Sequence, residues 1–290
     1  IMDYVIITET TADLPLSLIK ELDVRVLPLG YVVDGKEYGD EPSENDLMIK
    51  GFYRMLKEGK HSSTSQINSA VFEEVFEEYF ENGKDILYLA FSGALSGTVQ
   101  QARVAANELK DKFPDRKIVI VDTLCASLGE GLLVYYTAKK RDSGASLTEA
   151  ADYAETLKHK ICHWFTVDDL NHLKRGGRVS PTAAAIGSML GIKPILHVDE
   201  EGRLIPVSKV RGRSKSIEAL IERAEKTIIP EENPVVFISH GDCREDAMIL
   251  RQLVINRLGV KDVVVNYIGP TIGSHSGQGT LALFFVGSSR

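Results

Sequence analysis

The sequence predicts an α/β protein made of two different α/β domains, the first with a largely parallel sheet flanked by helices. Three observations point there. Between residues 2 and 160, short apolar runs alternate with segments of helical period, the pattern of strands joined by crossover helices. One run, residues 86–91 (Ile-Leu-Tyr-Leu-Ala-Phe), is nearly continuous in apolar residues, as a strand covered on both faces requires. Near Ile161 the texture changes to basic turns, a hairpin and a Gly-rich tail, in a chain whose 290 residues exceed a typical single core. The expected division is 1–160 and 161–290.

The elements follow in order. Residues 4–8 read as a strand ending in the polar turn Glu9-Thr10-Thr11-Ala12-Asp13, and Pro15 suits the first turn of a helix over 16–22. Residues 24–33 form a β segment broken by Pro28 and Gly30, and Asp34-Gly35 a turn. Ser43-Glu44-Asn45-Asp46 opens a helix to Leu56; residues 60–68 are a hydroxyl-rich loop before a helix over 69–80. After the 86–91 strand, Ser92, Gly93, Ser96 and Gly97 turn the chain into a helix over 98–113, with Val99, Ala102, Ala106, Leu109 and Phe113 at helical spacing. A strand at 117–122 precedes helices over 128–140 and 146–158.

Beyond Ile161 come a β segment at 162–166, the basic turn Lys174-Arg175-Gly176-Gly177-Arg178, and a Ser180-Pro181 cap. That cap starts a helix of small and flexible apolar residues, Ala183, Ala184, Ala185, Ile186, Met189 and Leu190. Segments 193–198 and 203–210 flank a turn as a hairpin. Helices over 214–227 and 244–258 and strands at 234–240 and 263–268 follow. The chain closes with a Gly-rich loop over 269–279 and a strand at 280–286.

Composition narrows function. The net charge of −7 argues against nucleic acid as a partner, because a binder must neutralise phosphates. Cys125, Cys162 and Cys243 are scattered and odd in number, so they read as free thiols in a reducing compartment, with no metal site expected. No apolar run reaches membrane-spanning length and no charged-then-apolar leader opens the chain, which makes the cytoplasm the expected location.

The chemistry-bearing segments are few. A strand feeding a Gly/Ser turn that opens a helix, as at Ser92–Thr98, gathers free N–H groups and small hydroxyls where an anionic ligand is favoured. A plain capped βα turn has the same sequence. Gly93-Ala94-Leu95-Ser96-Gly97 is one residue longer than a nucleophile elbow, and Walker and dinucleotide fingerprints are absent. His275 sits between two serines in a loop of four glycines, a candidate ligand donor or a surface histidine. Arg178 and Arg211 follow turns or strand ends, where a basic loop is a solvated face or a dock for an acidic surface or phosphate.

Together these pieces resemble the DegV family, the fatty-acid-binding subunits that serve bacterial fatty acid kinase. The likeness spans essentially the whole chain. It rests on Thr8-Glu9-Thr10-Thr11-Ala12-Asp13, Thr64-Ser65-Gln66, Leu95-Ser96-Gly97-Thr98, Val121-Asp122-Thr123, the Lys174–Arg178 turn and His275-Ser276-Gly277-Gln278-Gly279, six marks in order. Ile67 stands where the family usually has Pro, Glu9 replaces its neighbouring Asp, and Gly93 sits where Ser is common.

The resemblance implies two α/β domains with a fatty acid (palmitate, stearate or oleate, for example) in a tunnel between them. Thr64 and Ser96 would hydrogen-bond its carboxylate, with Ser65 and Gly97 beside them and His275 on the carboxylate side. Arg178 and Arg211 match basic residues that work with the kinase subunit or lie near its phosphate. The chain would be a carrier with no catalytic residues, cofactor or metal of its own. It would present the carboxylate to a separate kinase for conversion to acyl phosphate, feeding phospholipid synthesis, with transient contact to a membrane or to acyltransferases. Two other readings stay open: a hydrolase or phosphotransferase using Ser96 and His275, and a regulatory module with a collapsed cleft.

Overall fold

The computed structural model describes residues 3–43, 46–185 and 190–290. The first half runs β1 (Tyr4–Glu9), α1 (Leu16–Leu22), β2 (Arg25–Leu27), β3 (Gly30–Val33), β4 (Lys36–Gly39), α2 (Asp46–Lys57), β5 (Ser62–Ser65), α3 (Ser69–Glu81), β6 (Asp85–Ala90), α4 (Thr98–Leu109), β7 (Ile118–Asp122), α5 (Leu128–Asp142) and α6 (Leu147–Leu157). The second runs β8 (Ile161–Thr166), α7 (Asn171–Arg175), α8 (Pro181–Ala184), β9 (Ile192–Val198), β10 (Leu204–Arg211), α9 (Arg213–Thr227), β11 (Val235–His240), α10 (Arg244–Leu253), β12 (Asp262–Tyr267), α11 (Pro270–Ser276) and β13 (Leu281–Val286).

The architecture is α/β, with a four-stranded parallel sheet in the order β2-β1-β6-β7 flanked by helices. Alternate residues of its strands serve opposite faces. Ile7, Ile86, Tyr88 and Ala90 pack with Phe72, Phe76, Val99 and Ala102 of α3 and α4. Ile6, Leu87, Leu89 and Val121 pack on the other side with α1, α5 and α6. A six-stranded mixed sheet, β10-β9-β8-β13-β11-β12, is antiparallel except for the β11–β12 pair. Its Trp164, Val236, Ile238, Leu283 and Phe285 face α9 and α10. Its Phe165, Leu196, Phe237 and Phe284 turn inward and join the core that also holds α5.

Helix α5 therefore lies between the two large sheets and touches both. Its sequence fits that place: Leu128, Leu132, Leu133, Val134 and Ala138 are buried around the helix instead of along one stripe. Helix α6 starts on a capping box, with the Ser146 hydroxyl accepting from the Glu149 N–H and the Glu149 carboxylate accepting from the Ser146 N–H.

Several expectations are corrected. The single β segment over 24–33 is two strands in different sheets. β2 pairs with β1, whereas β3 crosses to a small sheet, β4-β3-β5, because Pro28 interrupts the ladder between them. The hydroxyl-rich loop over 60–68 contains β5, which pairs with β3 through Tyr31 opposite Thr64. A strand of Ser and Thr carries no apolar alternation, so its signature is missing from the sequence. The Gly-rich tail loop is instead helix α11, begun by Pro270 and secured by Asp40, whose Oδ2 accepts from the Thr271 N–H at 3.2 Å and hydroxyl at 2.5 Å. Helix α4 ends at Leu109, short of Phe113, and α10 passes into a π turn over Val254–Leu258. Positions 44, 45 and 186–189 lie outside the described residues, so the apolar helix expected through Ile186 and Met189 is described only as α8. The three cysteines are free thiols.

Candidate ligand-binding site

A cavity of about 450 Å³ opens beyond the C-terminal end of β6, between the parallel sheet and the inner face of the mixed sheet. Ligands of α/β sheets sit beyond the carboxyl ends of the strands, and about 300–1,000 Å³ is the usual size of such sites. Phe91 and Leu95, after β6, form one wall; Phe165, Val198, Leu204 and Phe284, from four strands of the mixed sheet, form another. Leu173 and Ile272 close the sides. These side chains form the apolar walls of the cavity.

One end is polar. Thr64, Ser65 and Gln66 from β5 and its exit, Ser96 and Gly97 from the β6–α4 turn, Arg178, and His275 on α11 meet there. The pairing of β5 with β3 aims Thr64 inward, and Thr64 Oγ1 lies 2.7 Å from His275 Nε2. Ser96 Oγ contacts Thr98 Oγ1 at 2.9 Å and accepts the Thr98 N–H at 3.2 Å, at the start of α4. Gly97 and Gly176 permit close approach: a Cβ at Gly97 would stand 2.3 Å from Gln66 Oε1, and one at Gly176 2.3 Å from His275 Nδ1.

Electrostatics set the character of this end. Burial, with the nearby Arg178 cation, pushes His275 down to about 4, so it is a neutral imidazole at pH 7. The half-buried Arg178 donates from Nε to Leu95 O at 3.1 Å and from Nη1 to Gly176 O. Burial lowers its pKa from the usual arginine value. Arg178 pairs with no carboxylate among the described residues. Ser65 is exposed and points its hydroxyl at Gly30 O, 3.4 Å away.

The sequence-predicted residues thus converge, with one exception. Arg211 ends β10 on the exposed surface and lines neither this cavity nor its neighbour. Ser96 and His275 both line the cavity but are not hydrogen-bonded to each other, each having another hydroxyl partner. Among the described residues no cluster of His, Cys, Asp or Glu could hold a metal ion.

Other lining residues escaped the sequence reading. His163 on β8 is buried and held neutral by burial; its Nε2 accepts the Ala126 N–H at 3.1 Å, which leaves Nδ1 to donate to Ile161 O at 3.2 Å. Ser127, at φ 51°, donates to Asp13 Oδ2 at 2.6 Å and touches Ser239 Oγ at 2.9 Å. Ser276 Oγ is buried on the cavity wall without a hydrogen-bond partner among the described residues. For Ser276 the signal was present, four residues after Ile272 on what proves to be a helix.

Next to the polar end lies a second cavity of about 320 Å³, sharing Thr64, Arg178 and His275 with the first. Its remaining walls include Lys60, His61, Ser62, His172 and Arg175.

Comparison with known proteins matches this geometry to a family. The family model described as an uncharacterised protein of the DegV family matches residues 3–288. A DegV domain-containing protein of Clostridium perfringens is 50% identical over 287 residues, 99% of this chain and 98% of its own. A Thermus thermophilus DegV family protein whose structure concerns fatty acid binding superposes with a TM-score of 0.86 at 33% identity, over 98% of this chain and 99% of that one. A Thermotoga maritima protein whose structure reveals a fatty acid binding function does so with a TM-score of 0.82 at 30% identity, over 99% and 100%. The match runs through both sheets and every residue of the polar end, and the chain belongs to the DegV family.

Proposed function

We propose that this protein binds a long-chain fatty acid, with the acyl chain in the 450 Å³ cavity and the carboxylate at Thr64, Ser96 and His275. The observation that carries the reading is the cavity's polarity: apolar walls from both sheets and, at one end, a cluster of hydroxyls with the neutral His275 beside the Arg178 cation. Each methylene moved from water into such walls contributes about 0.8 kcal/mol, so the chain supplies affinity without an ion pair. The carboxylate needs partners for its oxygens, and hydroxyls with backbone N–H groups meet that demand. The division into units 1–160 and 161–290 belongs to this reading, with the cavity between them.

The Thr64–His275 contact has a consistent proton arrangement. When His275 Nε2–H donates to Thr64 Oγ1, the threonine proton is free to donate to a carboxylate oxygen. The neutral imidazole thereby orients Thr64 without neutralising the ligand. Arg178, which donates from Nε and Nη1 to two backbone carbonyls, sets a positive potential beside the carboxylate. A carboxylate so held keeps one oxygen available to attack a phosphoryl donor. The reading therefore extends to a carrier that presents its fatty acid to a separate kinase for acyl phosphate formation and phospholipid synthesis, in the cytoplasm.

The test is denaturing extraction of the purified protein followed by mass spectrometry of the released lipid. A fatty acid in near-stoichiometric amount is expected. Absence of lipid together with no saturable binding of hexadecanoic acid would overturn the reading. Turnover of an ester or phosphate substrate by the isolated chain, lost in Ser96→Ala, would favour the hydrolase alternative.

A further inference from the structure

Behind the cavity wall, between the parallel sheet and α5, sits a pair of carboxyl groups that the fatty-acid reading does not use. Glu9 ends β1 and Glu130 lies in the first turn of α5, and both are fully buried. Thr11 joins them: its Oγ1 stands 2.9 Å from Glu130 Oε2 and 3.3 Å from Glu9 Oε1. The line of contacts continues at both ends. The Tyr88 hydroxyl donates to Glu9 Oε2, Glu130 Oε1 lies 3.0 Å from Thr8 Oγ1, and Thr8 donates to Leu89 O at 2.9 Å. Tyr88, Thr11 and Thr8 bring one proton each to these five contacts. All five are hydrogen bonds only when both carboxyls are protonated, with Glu9 donating to Thr11, Thr11 to Glu130 and Glu130 to Thr8. The contact between Glu9 and Thr11 is the longest, so its proton is the one most readily lost.

The titratable groups that face the pair are Tyr88 from β6, Asp122 and Cys125 from the end of β7 and the turn after it, and Asp13 after β1, all of which ionise to negative charge. Arg290 donates to Cys125 Sγ at 3.2 Å and to Leu124 O, and His163, packed against Gly129, is held neutral by burial. Burial pushes Glu9 up to about 7 and Glu130 well above the carboxylate range.

We propose that this pair couples ligand binding to a proton: resting on the fatty-acid reading above, the doubly protonated protein is the form that holds the fatty acid best, and Glu9 takes up a proton as the cavity fills. The pair is built into that wall, since Thr11, Phe91, Ala126 and Ser127 all line the cavity. An acyl chain replaces water along the wall with hydrocarbon, and its carboxylate brings a negative charge into the same cavity. Both effects disfavour an ionised Glu9. The proton passes from water to the Glu9 carboxylate and restores its donation to Thr11. By linkage, raising the pH removes that proton and weakens binding, so an alkaline shift favours release. His275, pushed by burial down to about 4, stays neutral over the same range.

The experiment is isothermal titration of the delipidated full-length chain with hexadecanoic acid, in buffers of high and low ionisation enthalpy, for wild type and Glu9→Gln. The amide of that variant can donate to Thr11 and accept from Tyr88, so it imitates the protonated carboxyl. Between about pH 6 and about pH 8, wild-type affinity should fall about fivefold more than that of the variant, with a proton uptake on binding that the variant lacks. The ligand's own carboxyl titrates alike in both proteins and cancels. Equal pH dependence and equal proton uptake in the two proteins overturn the coupling. Should Glu9→Gln fail to fold, the infrared difference spectrum of wild-type protein on loading decides, with the ligand carboxyl isotope-labelled to keep its band apart. A protein carboxylic-acid band that grows at about pH 7.5 supports the coupling, and no growth overturns it. If neither protein binds hexadecanoic acid at any pH, it is the fatty-acid reading that fails, and the coupling falls with it.

Discussion

Thr64 illustrates how much one hydroxyl is asked to do: when His275 Nε2–H donates to it, its single proton is left for the ligand. Thr64→Val, close in shape, should weaken hexadecanoic acid binding by about 5- to 50-fold, the cost of one hydrogen bond to a charged group, while leaving the melting temperature within a degree or so. Unchanged affinity by titration calorimetry would remove Thr64 from the site. A second residue-scale feature lies behind the cavity wall, where Glu9 and Glu130 are both fully buried. Thr8 Oγ1 has one proton and two oxygen neighbours, Leu89 O at 2.9 Å and Glu130 Oε1 at 3.0 Å. A carbonyl only accepts, so the Thr8 proton points to Leu89 and Glu130 must donate. Glu130 is therefore a neutral carboxylic acid, and Glu9 accepts from the Tyr88 hydroxyl.

Burial pushes Glu9 from its ordinary 4.5 up to about 7 and Glu130 well above the carboxylate range, the latter helped by the nearby Glu9. Carboxyls whose pKa is raised on folding hold more protons in the native state than in the unfolded chain. Their contribution is fully present below pH 4.5 and is lost as pH rises through about 7. The melting temperature should fall across that window, and Glu130→Gln, which keeps a donor and an acceptor, should flatten the decline. A calorimetric pH series with the same slope in both proteins would contradict the neutral Glu130.

Elements supply the alignment that residues need. Helix α11 is seven residues long, too short to hold itself together in water, and His275 lies in its last turn. Asp40, 231 positions earlier than Thr271, secures its first turn. Asp40→Ala should cost about 1–2 kcal/mol of stability, as loss of an N-terminal cap does, and should also weaken ligand binding because His275 loses its orientation. Stability lost with full affinity retained, measured by denaturant titration and calorimetry, would separate the cap from the site. The tail's glycines read as a loop because its helical partners are remote in sequence. The hydroxyl-rich β5 read as a loop for a related reason: its strand character comes from pairing with β3 and from no side-chain pattern of its own.

At the scale of the molecule, α5 is shared between the two large sheets, so the two halves have one core in common besides the core that each has of its own. Leu132, fully buried on that helix, should cost about 2–5 kcal/mol as Leu132→Ala. Ligand-free protein should unfold in one calorimetric transition, and the variant should lower that single transition; two resolved transitions would contradict the shared core. Among the described residues no helix is long and apolar enough to cross a membrane.

The α/β class, most strands and helices and six motif segments were legible from residue order, because burial on two faces or one leaves periods of its own in a sequence. So were Thr64, Ser96 and His275, by resemblance. Only the tertiary structure placed β5 beside β3, wound the Gly-rich tail into a helix, left Arg211 outside and set Ser62 and Arg175 in the lining of one smaller cavity. Those outcomes depend on contacts between residues far apart in the chain, and a local pattern carries no record of its distant partners.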